Sequence, residues 1–218
     1  PSLSFFSFCE KMLNRYKKDE SVHVISGSNF QKKKIIGNGD YYFSKYAHCW
    51  GWATWKQSWK NYDDDLSFWN TLKKSKKWRN LHKNKLEEKY WVKILNKVKE
   101  KKIDSWAYVW QASIWNNDGF TVTPNTNLVK NIGFNEKATH TISSRKSNEF
   151  NMSEEINEEI IHPQDKEISQ DADRFVFYNH FNGKYNFWPW KFIYLLIFFI
   201  NEPKAFMIKV KKKIKVKF

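Results

Sequence analysis

The spacing of apolar residues predicts a series of helices and short strands. Apolar residues recur at about helical spacing over residues 1–19, with Ser2 or Ser4 as the cap, and predict a first helix. Short apolar or alternating runs at residues 22–26, 41–46 and 120–123 predict strands, the first of them buried. The chain is therefore predicted to be of the α/β class and rich in helix.

Two further stretches carry helical periodicity. Residues 67–102 are basic and contain an apolar stripe formed by Leu86, Tyr90, Trp91, Ile94 and Val98. Residues 103–118 predict another helix, which Asp104 or Ser105 can cap and which Gly119 can end. The lysines of residues 73–85 form a solvated helix face or, alternatively, a surface for membrane or nucleic acid.

Four tryptophans crowd into ten residues after the second predicted strand. Trp52, Trp55 and Trp59 follow the spacing i, i+3, i+7, which predicts one stripe of a helix and favours a place in the core. Trp50 precedes that helix, next to Gly51, so this corner is the better candidate for contact with a small ligand. Aromatic faces suit both sugar rings and nucleobases.

Composition and charge narrow the class of protein. The chain has 218 residues, 41% of them hydrophobic, which excludes a chain that is disordered by composition. Its formal charge of +15 predicts attraction to anionic partners, although abundant lysine can also reflect an A+T-rich genome. Cys9 and Cys49 form no metal spacing and no disulfide framework, which is typical of a reducing, cytoplasmic compartment.

The last third of the chain differs from the rest. Residues 149–173 are acidic and predict an exposed loop with a short helix. Residues 187–200 are apolar and aromatic, but they are too few to cross a bilayer. Because six lysines follow between residues 209 and 217, this tail predicts a segment in the membrane interface. The alternative is a core helix with a frayed basic end.

A family resemblance is carried by two blocks in order, YYFSKYAHCWGWATWKQSW at residues 41–59 and DSWAYVWQASIWNNDGFTVTPNTNLVKNIGFNEKATHT at residues 104–141. They resemble the second half of bacterial family-2-type glycosyltransferases of the GT-A fold, nucleotide-diphospho-sugar transferases sometimes labelled hemolytic-protein-like. The resemblance covers roughly residues 1–140 and continues more weakly to about residue 162. It implies transfer of a sugar from a nucleotide diphosphate to a glycan or lipid-linked acceptor, with inversion.

The resemblance also implies roles for particular residues. Asp104 matches the family's aspartate before a WxYxW stretch and is the candidate catalytic base, with a plain N-cap as the alternative and residues 63–65 as a second choice. His140 is the candidate ligand of a divalent metal, Mg²⁺ or Mn²⁺, or else a structural histidine. The candidate substrate-binding residues are His48, Trp50, Gly51, Trp52, Asn127, Asn131 and Gly133.

In the resembled family an Asp-x-Asp motif that binds the metal precedes this region, and the resemblance implies that the sequence, which begins at Pro1, starts after the position of that motif. We therefore expect a C-terminal half, with the missing residues completing the metal site. The expected organisation is a transferase portion at residues 1–148, an acidic segment at 149–186 and a membrane-apposed tail at 187–218. We expect a cytoplasmic protein, peripheral on the inner membrane face. The alternative function is a non-catalytic module for membrane surface or, less favoured, single-stranded nucleic acid.

Overall fold

The computed structural model describes residues 1–32, 34–130, 153–203 and 206–207, and its fold is mixed α/β and rich in helix. The strands are β1 Val22–Ser26, β2 Tyr41–Ser44, β3 Trp52–Thr54 and β4 Phe120–Pro124. The helices are α1 Ser4–Arg15, α2 Lys56–Trp59, α3 Trp69–Leu72, α4 Lys76–Leu81, α5 Lys85–Lys99, α6 Trp106–Asn116, α7 Gln170–Asn179 and α8 Trp190–Asn201, and a 3-10 turn spans Gly183–Asn186.

The four described strands form one mixed sheet in the order β2-β4-β1-β3. β1 runs parallel to β4, and the pairs β1–β3 and β2–β4 are antiparallel. All residues of β1, β2 and β4 are buried, whereas β3 at the edge is half-buried. The predicted strands at residues 22–26, 41–46 and 120–123 are therefore confirmed, with the second ending at Ser44.

Helices cover both faces of the sheet. Successive residues of a strand point to opposite faces, so Val24 and Ile25 belong to different packing layers. Ile25 packs with Phe8 and Met12 of α1, and Val24 packs with Trp110 of α6. This arrangement fixes α6 against the centre of the sheet.

A second core lies among the helices α3 to α7, and tryptophan dominates it. Trp69, Trp78, Trp91 and Trp115 are each at most 1% exposed. Their rings meet edge to face, with centroids 4.9 Å apart for Trp69–Trp78 and 5.0 Å for Trp91–Trp115. Such contacts add to the free energy that these large side chains contribute by burial. Trp91 was expected on the apolar stripe of α5, and that prediction is confirmed.

The helical character predicted for residues 67–102 is confirmed, and the structure divides the stretch into three helices. These are α3, α4 and α5, and polar side chains start the last two helices. The Ser75 hydroxyl accepts the N–H of Trp78, and the Asn84 side chain accepts the N–H of Leu86. Each side chain accepts an N–H group that would otherwise be unpaired in the first turn of a helix, so a new helix begins after each of them.

The helical stripe predicted for Trp52, Trp55 and Trp59 is wrong. Trp52 lies in β3, where it pairs with Ser26 of β1, and α2 is a single turn that ends at Trp59. Pairing with an edge of the sheet supplies backbone hydrogen bonds that a local helix pattern does not anticipate. The three tryptophans therefore do not share one helix face.

The acidic segment caps the first helix. Neither Ser2 nor Ser4 caps α1 with its side chain, contrary to expectation. Instead the Glu155 carboxylate accepts the N–H groups of Leu3 and Ser4 at 3.1 and 2.8 Å. None of residues 153–170 is buried, which confirms the exposed loop, and the short helix predicted within residues 149–173 corresponds only to the first turn of α7.

Helix α8 extends from the 3-10 turn, and none of its residues is buried. Its exposed side chains include Phe192, Leu196, Phe199 and Ile200. Among the described residues, no helix has the length and apolar character that crossing a membrane requires.

Candidate functional site

A pocket of about 400 Å³ brings together three of the residues predicted from the sequence, His48, Trp50 and Asp104. It lies between the loop after β2 and the first turns of α6, and the chain just after α7 closes one side. The other lining residues are Phe30, Ala47, Cys49, Trp91, Ile103, Ser105, Ala107, Tyr108, Gln111, His180 and Phe181. A largely aromatic wall with a few polar groups is typical of a site for a small organic ligand.

Helix α6 holds the loop that carries His48 and Trp50. The Gln111 side chain accepts the N–H of Ala47 at 2.7 Å and donates to the carbonyl of Lys45 at 2.9 Å. The indole N–H of Trp115 donates to the same carbonyl at 2.8 Å. Because Gln111 and Trp115 are themselves buried, the loop is fixed relative to Asp104 at the start of α6.

The other end of this loop is fixed by the residues that follow β1. The Ser28 hydroxyl donates to the carbonyl of Trp50 at 2.6 Å, and the N–H of Gly27 donates to the carbonyl of Gly51 at 2.8 Å. Gly51 has φ +65°, and a Cβ there would lie 2.5 Å from the Val129 side chain. The glycine is thus required by the backbone and by packing.

His48 is buried beneath the aromatic wall. Its ring centroid lies 4.4 Å from that of Phe30 and 5.7 Å from that of His180. Burial lowers the pKa of His48 well below the usual value, and the nearby His180 lowers it further. His48 is therefore a neutral imidazole at pH 7, which can donate and accept hydrogen bonds but carries no charge.

Asp104 lies exposed at the mouth of the pocket, two residues before α6 begins. Ser105 occupies the N-cap position, so the plain N-cap alternative for Asp104 is wrong. Across the described part of the chain, the Asp104 carboxylate has no hydrogen-bond or ion-pair partner. An exposed carboxylate without such a partner is available to accept a proton from a ligand.

The remaining predicted residues lie elsewhere. Gly51 packs against Val129, and Trp52 joins a separate group of aromatic rings. The Asn127 side chain accepts the N–H of Asn29 and donates to the carbonyl of Val129, which makes it a loop contact outside the pocket. Asn131, Gly133 and His140 lie outside the described residues. Roles for these residues in substrate or metal binding stay predictions.

The second-choice carboxylates, Asp63 to Asp65, have structural partners. The Asp63 carboxylate accepts the N–H and hydroxyl of Ser67 at 2.7 and 2.5 Å. Asp65 forms an ion pair with Lys101 at 3.0 Å. These contacts favour Asp104 over this group as the free carboxylate near the pocket.

Several lining residues were not predicted. Tyr108 and Gln111 follow Asp104 at i+4 and i+7, so helical spacing from Asp104 could have found them. Phe30, His180 and Phe181 come from distant parts of the chain. No local pattern marks these three residues, because only the packing of α7 against the β2 loop brings them together.

No group of three or more histidine, cysteine, aspartate or glutamate side chains within residues 1–32, 34–130 and 153–203 could hold a metal ion. The described residues thus do not by themselves fit the predicted Mg²⁺ or Mn²⁺ site. His140, its candidate ligand, is outside them.

A buried charged cluster lies on the other side of the β2 loop. The Asp173 carboxylate accepts the Ser44 hydroxyl at 2.5 Å and the N–H of Lys45 at 3.1 Å. The Lys45 ammonium forms an ion pair with Glu87 at 2.7 Å, and Glu87 also accepts the hydroxyl of Tyr46. Burial raises the pKa of Asp173 to about 7, although Lys45 and the hydrogen bonds act against it. The cluster ties α7, and hence His180, to the loop of the pocket.

Comparison of the chain with protein-family models, with curated proteins and with solved structures gives no match. The function is therefore inferred from the pocket together with the resemblance of the two sequence blocks.

Proposed function

We propose that the protein is a glycosyltransferase of the GT-A fold, which moves a sugar from a nucleotide-diphosphate donor to a glycan or lipid-linked acceptor with inversion. The observation that supports this most is the single pocket lined by His48, Trp50 and Asp104. These residues come from the two sequence blocks that resemble the family, and Trp50 and Asp104 are 54 positions apart in the chain. A pocket of about 400 Å³ is of a size for a small ligand.

Asp104 takes the part of general base in this proposal. Its carboxylate removes the proton of an acceptor hydroxyl while that oxygen forms a bond to the anomeric carbon of the donor sugar. The bond from the anomeric carbon to the diphosphate breaks, and the diphosphate leaves with the electron pair. An exposed carboxylate without a partner at a pocket mouth suits this role, because the acceptor can reach it from solvent.

His48 and Trp50 position the sugar in this proposal. The neutral His48 ring offers a hydrogen bond to a sugar hydroxyl without the desolvation cost of a buried charge. Trp50 and Phe30, with ring centroids 5.5 Å apart, offer aromatic surface to the apolar C–H face of a sugar. In the resembled family a divalent ion offsets the charge of the leaving diphosphate, and no step above is assigned to it.

The substitution Asp104→Asn, made in the full-length product of the gene, tests the proposal. We expect release of nucleoside diphosphate from nucleotide sugars in the presence of glycan acceptors to fall by roughly 10²-fold or more, because the amide cannot take the proton. Asp171→Asn is the matched control, since Asp171 is also an exposed carboxylate at the start of a helix and lies away from the pocket. We expect the control to keep the activity of the unmodified protein.

Two results would contradict this proposal. One is unchanged turnover in Asp104→Asn. The other is the absence of turnover by the unmodified protein with every nucleotide sugar tried, whatever the acceptor and divalent ion.

Attachment to a membrane surface is a second candidate function, favoured by α8. Its apolar side chains face solvent, and residues 209–217 of the sequence contain six lysines and no acidic residue. Such a helix can lie in the interface of an anionic bilayer, with the lysines at the lipid headgroups. This attachment is compatible with the transferase, because lipid-linked acceptors lie at that surface. Binding of the chain to anionic vesicles tests it.

A further inference from the structure

Four aromatic rings form a row outside the pocket, and we call it the aromatic row: Trp106, Trp52, Trp59 and Tyr62. Centroids of successive rings lie 5.7, 5.7 and 4.8 Å apart, and the planes tilt by 31°, 37° and 15°. Trp110, which is buried, lies behind the row 4.9 Å from Trp59. Three separate elements, β3, α2 and α6, supply the three tryptophans.

Two rings of the row are open to solvent, unlike the tryptophans of the helical core. Trp106 is 45% exposed and Trp59 is 40% exposed, whereas the four tryptophans of the helical core are at most 1% exposed. Exposing large apolar rings forgoes the free energy that their burial would contribute. Rings held side by side in this way form a rigid surface. Because folding already fixes these side chains, a ligand that binds them causes little further loss of side-chain entropy.

The row begins beside the candidate site. Trp106 is the first residue of α6 and stands two residues after Asp104, the carboxylate at the pocket mouth. At the other end, the Tyr62 hydroxyl donates to the Asp64 carboxylate at 3.0 Å. A ligand that leaves the pocket past Asp104 would therefore meet the row next.

Carboxylates and lysines both lie near the row. Asp64 and Asp104 border it, and Lys101 is already paired with Asp65 at 3.0 Å, whereas Lys56 and Lys60, on either side of Trp59 in the chain, are exposed. A phosphate backbone would be repelled by these carboxylates, whereas sugar hydroxyls can donate hydrogen bonds to them. These carboxylates distinguish the row from the chain as a whole, which carries a formal charge of +15.

We propose that the aromatic row binds the sugar rings of a neutral glycan, as an extended subsite for the acceptor of the proposed transfer. The aromatic faces contact the C–H faces of the sugars, and the bordering carboxylates accept their hydroxyls. The role of this glycan as acceptor rests on the proposed function, whereas glycan binding by the row does not.

Saturation-transfer NMR with the full chain tests the row directly. The probes are soluble hexasaccharides of glucose, N-acetylglucosamine, galactose and mannose, and a dT12 oligonucleotide is the anionic comparison. We expect at least one hexasaccharide to bind, and we expect Trp106→Ala and Trp59→Ala each to weaken it by ten-fold or more. Trp190→Ala is the matched control, because Trp190 is 44% exposed but lies in α8. It should leave the affinity unchanged.

Trp106→Phe keeps an aromatic ring and should restore most of the affinity, and circular dichroism of every variant checks the fold. Binding of no hexasaccharide overturns the proposal, as does equal binding by Trp106→Ala and Trp59→Ala. Tryptophan-dependent binding of dT12 without binding of any hexasaccharide overturns it too. Glycan binding without turnover of any nucleotide sugar would refute the proposed transferase and support the row, so the two failures are distinguishable.

Discussion

The tryptophan core and helix α8 are both rich in large apolar side chains, yet the protein places them in opposite environments. Trp69, Trp78, Trp91 and Trp115 are almost completely buried among α3 to α7. Helix α8 has no buried residue, and its apolar side chains face solvent along its whole length. Both regions are apolar in composition, so composition alone does not distinguish a buried core from an exposed surface.

The difference lies in what polar groups each region provides. Around the core, Lys45, Glu87 and Asp173 satisfy one another and the backbone of the β2 loop. The sequence after α8 is instead predominantly basic, with seven lysines and one acidic residue, Glu202. The core is therefore built to exclude water, and α8 has the composition of a segment that contacts another apolar phase. Substitutions in the two regions should have correspondingly different effects.

The largest effect is expected in the core. Trp78→Ala removes a side chain that is fully buried between Trp69, His82 and Trp115. The cavity and the lost burial should lower the free energy of unfolding by about 3–5 kcal/mol, with a drop in Tm of roughly 6–20 °C. Trp190→Ala in α8 is the control, and we expect it to shift Tm little. Thermal unfolding followed by circular dichroism measures both, and equal losses would erase the contrast between the regions.

A smaller, pH-dependent effect is expected from Asp173 beside the core. Its folded pKa of about 7 exceeds the ordinary 3.8, so the folded protein holds this proton more tightly than the unfolded chain does. The resulting stability is complete below about pH 4 and is lost as the pH rises through 7. We expect Asp173→Asn, which mimics the protonated form, to lack this loss, which amounts to at most about 1.4 kcal/mol per pH unit.

Urea unfolding of both proteins at intervals from pH 4.5 to 7.5 measures this difference. Burial lowers the pKa values of His48 and His82, so their protonation destabilises the folded state as the pH falls. Both proteins contain these histidines, and the difference between the two curves therefore isolates Asp173. Parallel curves would mean that the hydrogen bonds from Ser44 and Lys45 keep Asp173 ionised throughout this range.

How much the sequence predicts depends on whether a signal is local. Residues 22–26 and the stripe of α5 carry their own periodicity, and both predictions are confirmed. Trp52 also has helical spacing to its neighbours, but the hydrogen bonds of an edge strand beside Ser26 determine its structure. A periodicity measured within one segment contains no information about such a partner.

The candidate site divides in the same way. His48, Trp50 and Asp104 stand in compact sequence blocks, and the structure brings them into one pocket. Phe30 and His180, whose ring centroids lie 3.8 Å apart, are 150 residues apart in the chain and have no shared signal. Only the packing of α7 against the sheet makes them neighbours, and the buried Asp173 takes part in that packing through its hydrogen bonds to Ser44 and Lys45.

The smallest effect on stability is expected in α8, together with a large effect on membrane binding. Phe192, Leu196 and Ile200 follow the spacing i, i+4, i+8 and are all well exposed. Replacing the three with glutamine should change the free energy of unfolding by no more than about 0.5 kcal/mol. Loss of their burial in lipid should weaken binding to anionic phosphatidylglycerol vesicles ten-fold or more, as measured by sedimentation.

A matched control for α8 is available at the other end of the chain. Leu3, Phe6 and Ile35 are exposed apolar residues outside α8, and their replacement with glutamine should leave vesicle binding unchanged. Raising the salt concentration should weaken binding of the unmodified chain, because the lysines that follow α8 contribute through charge. If the α8 variant binds as well as the unmodified chain, lysines alone attract the protein to lipid. If it loses core stability instead, α8 belongs with the tryptophan core, and the contrast between the two regions fails.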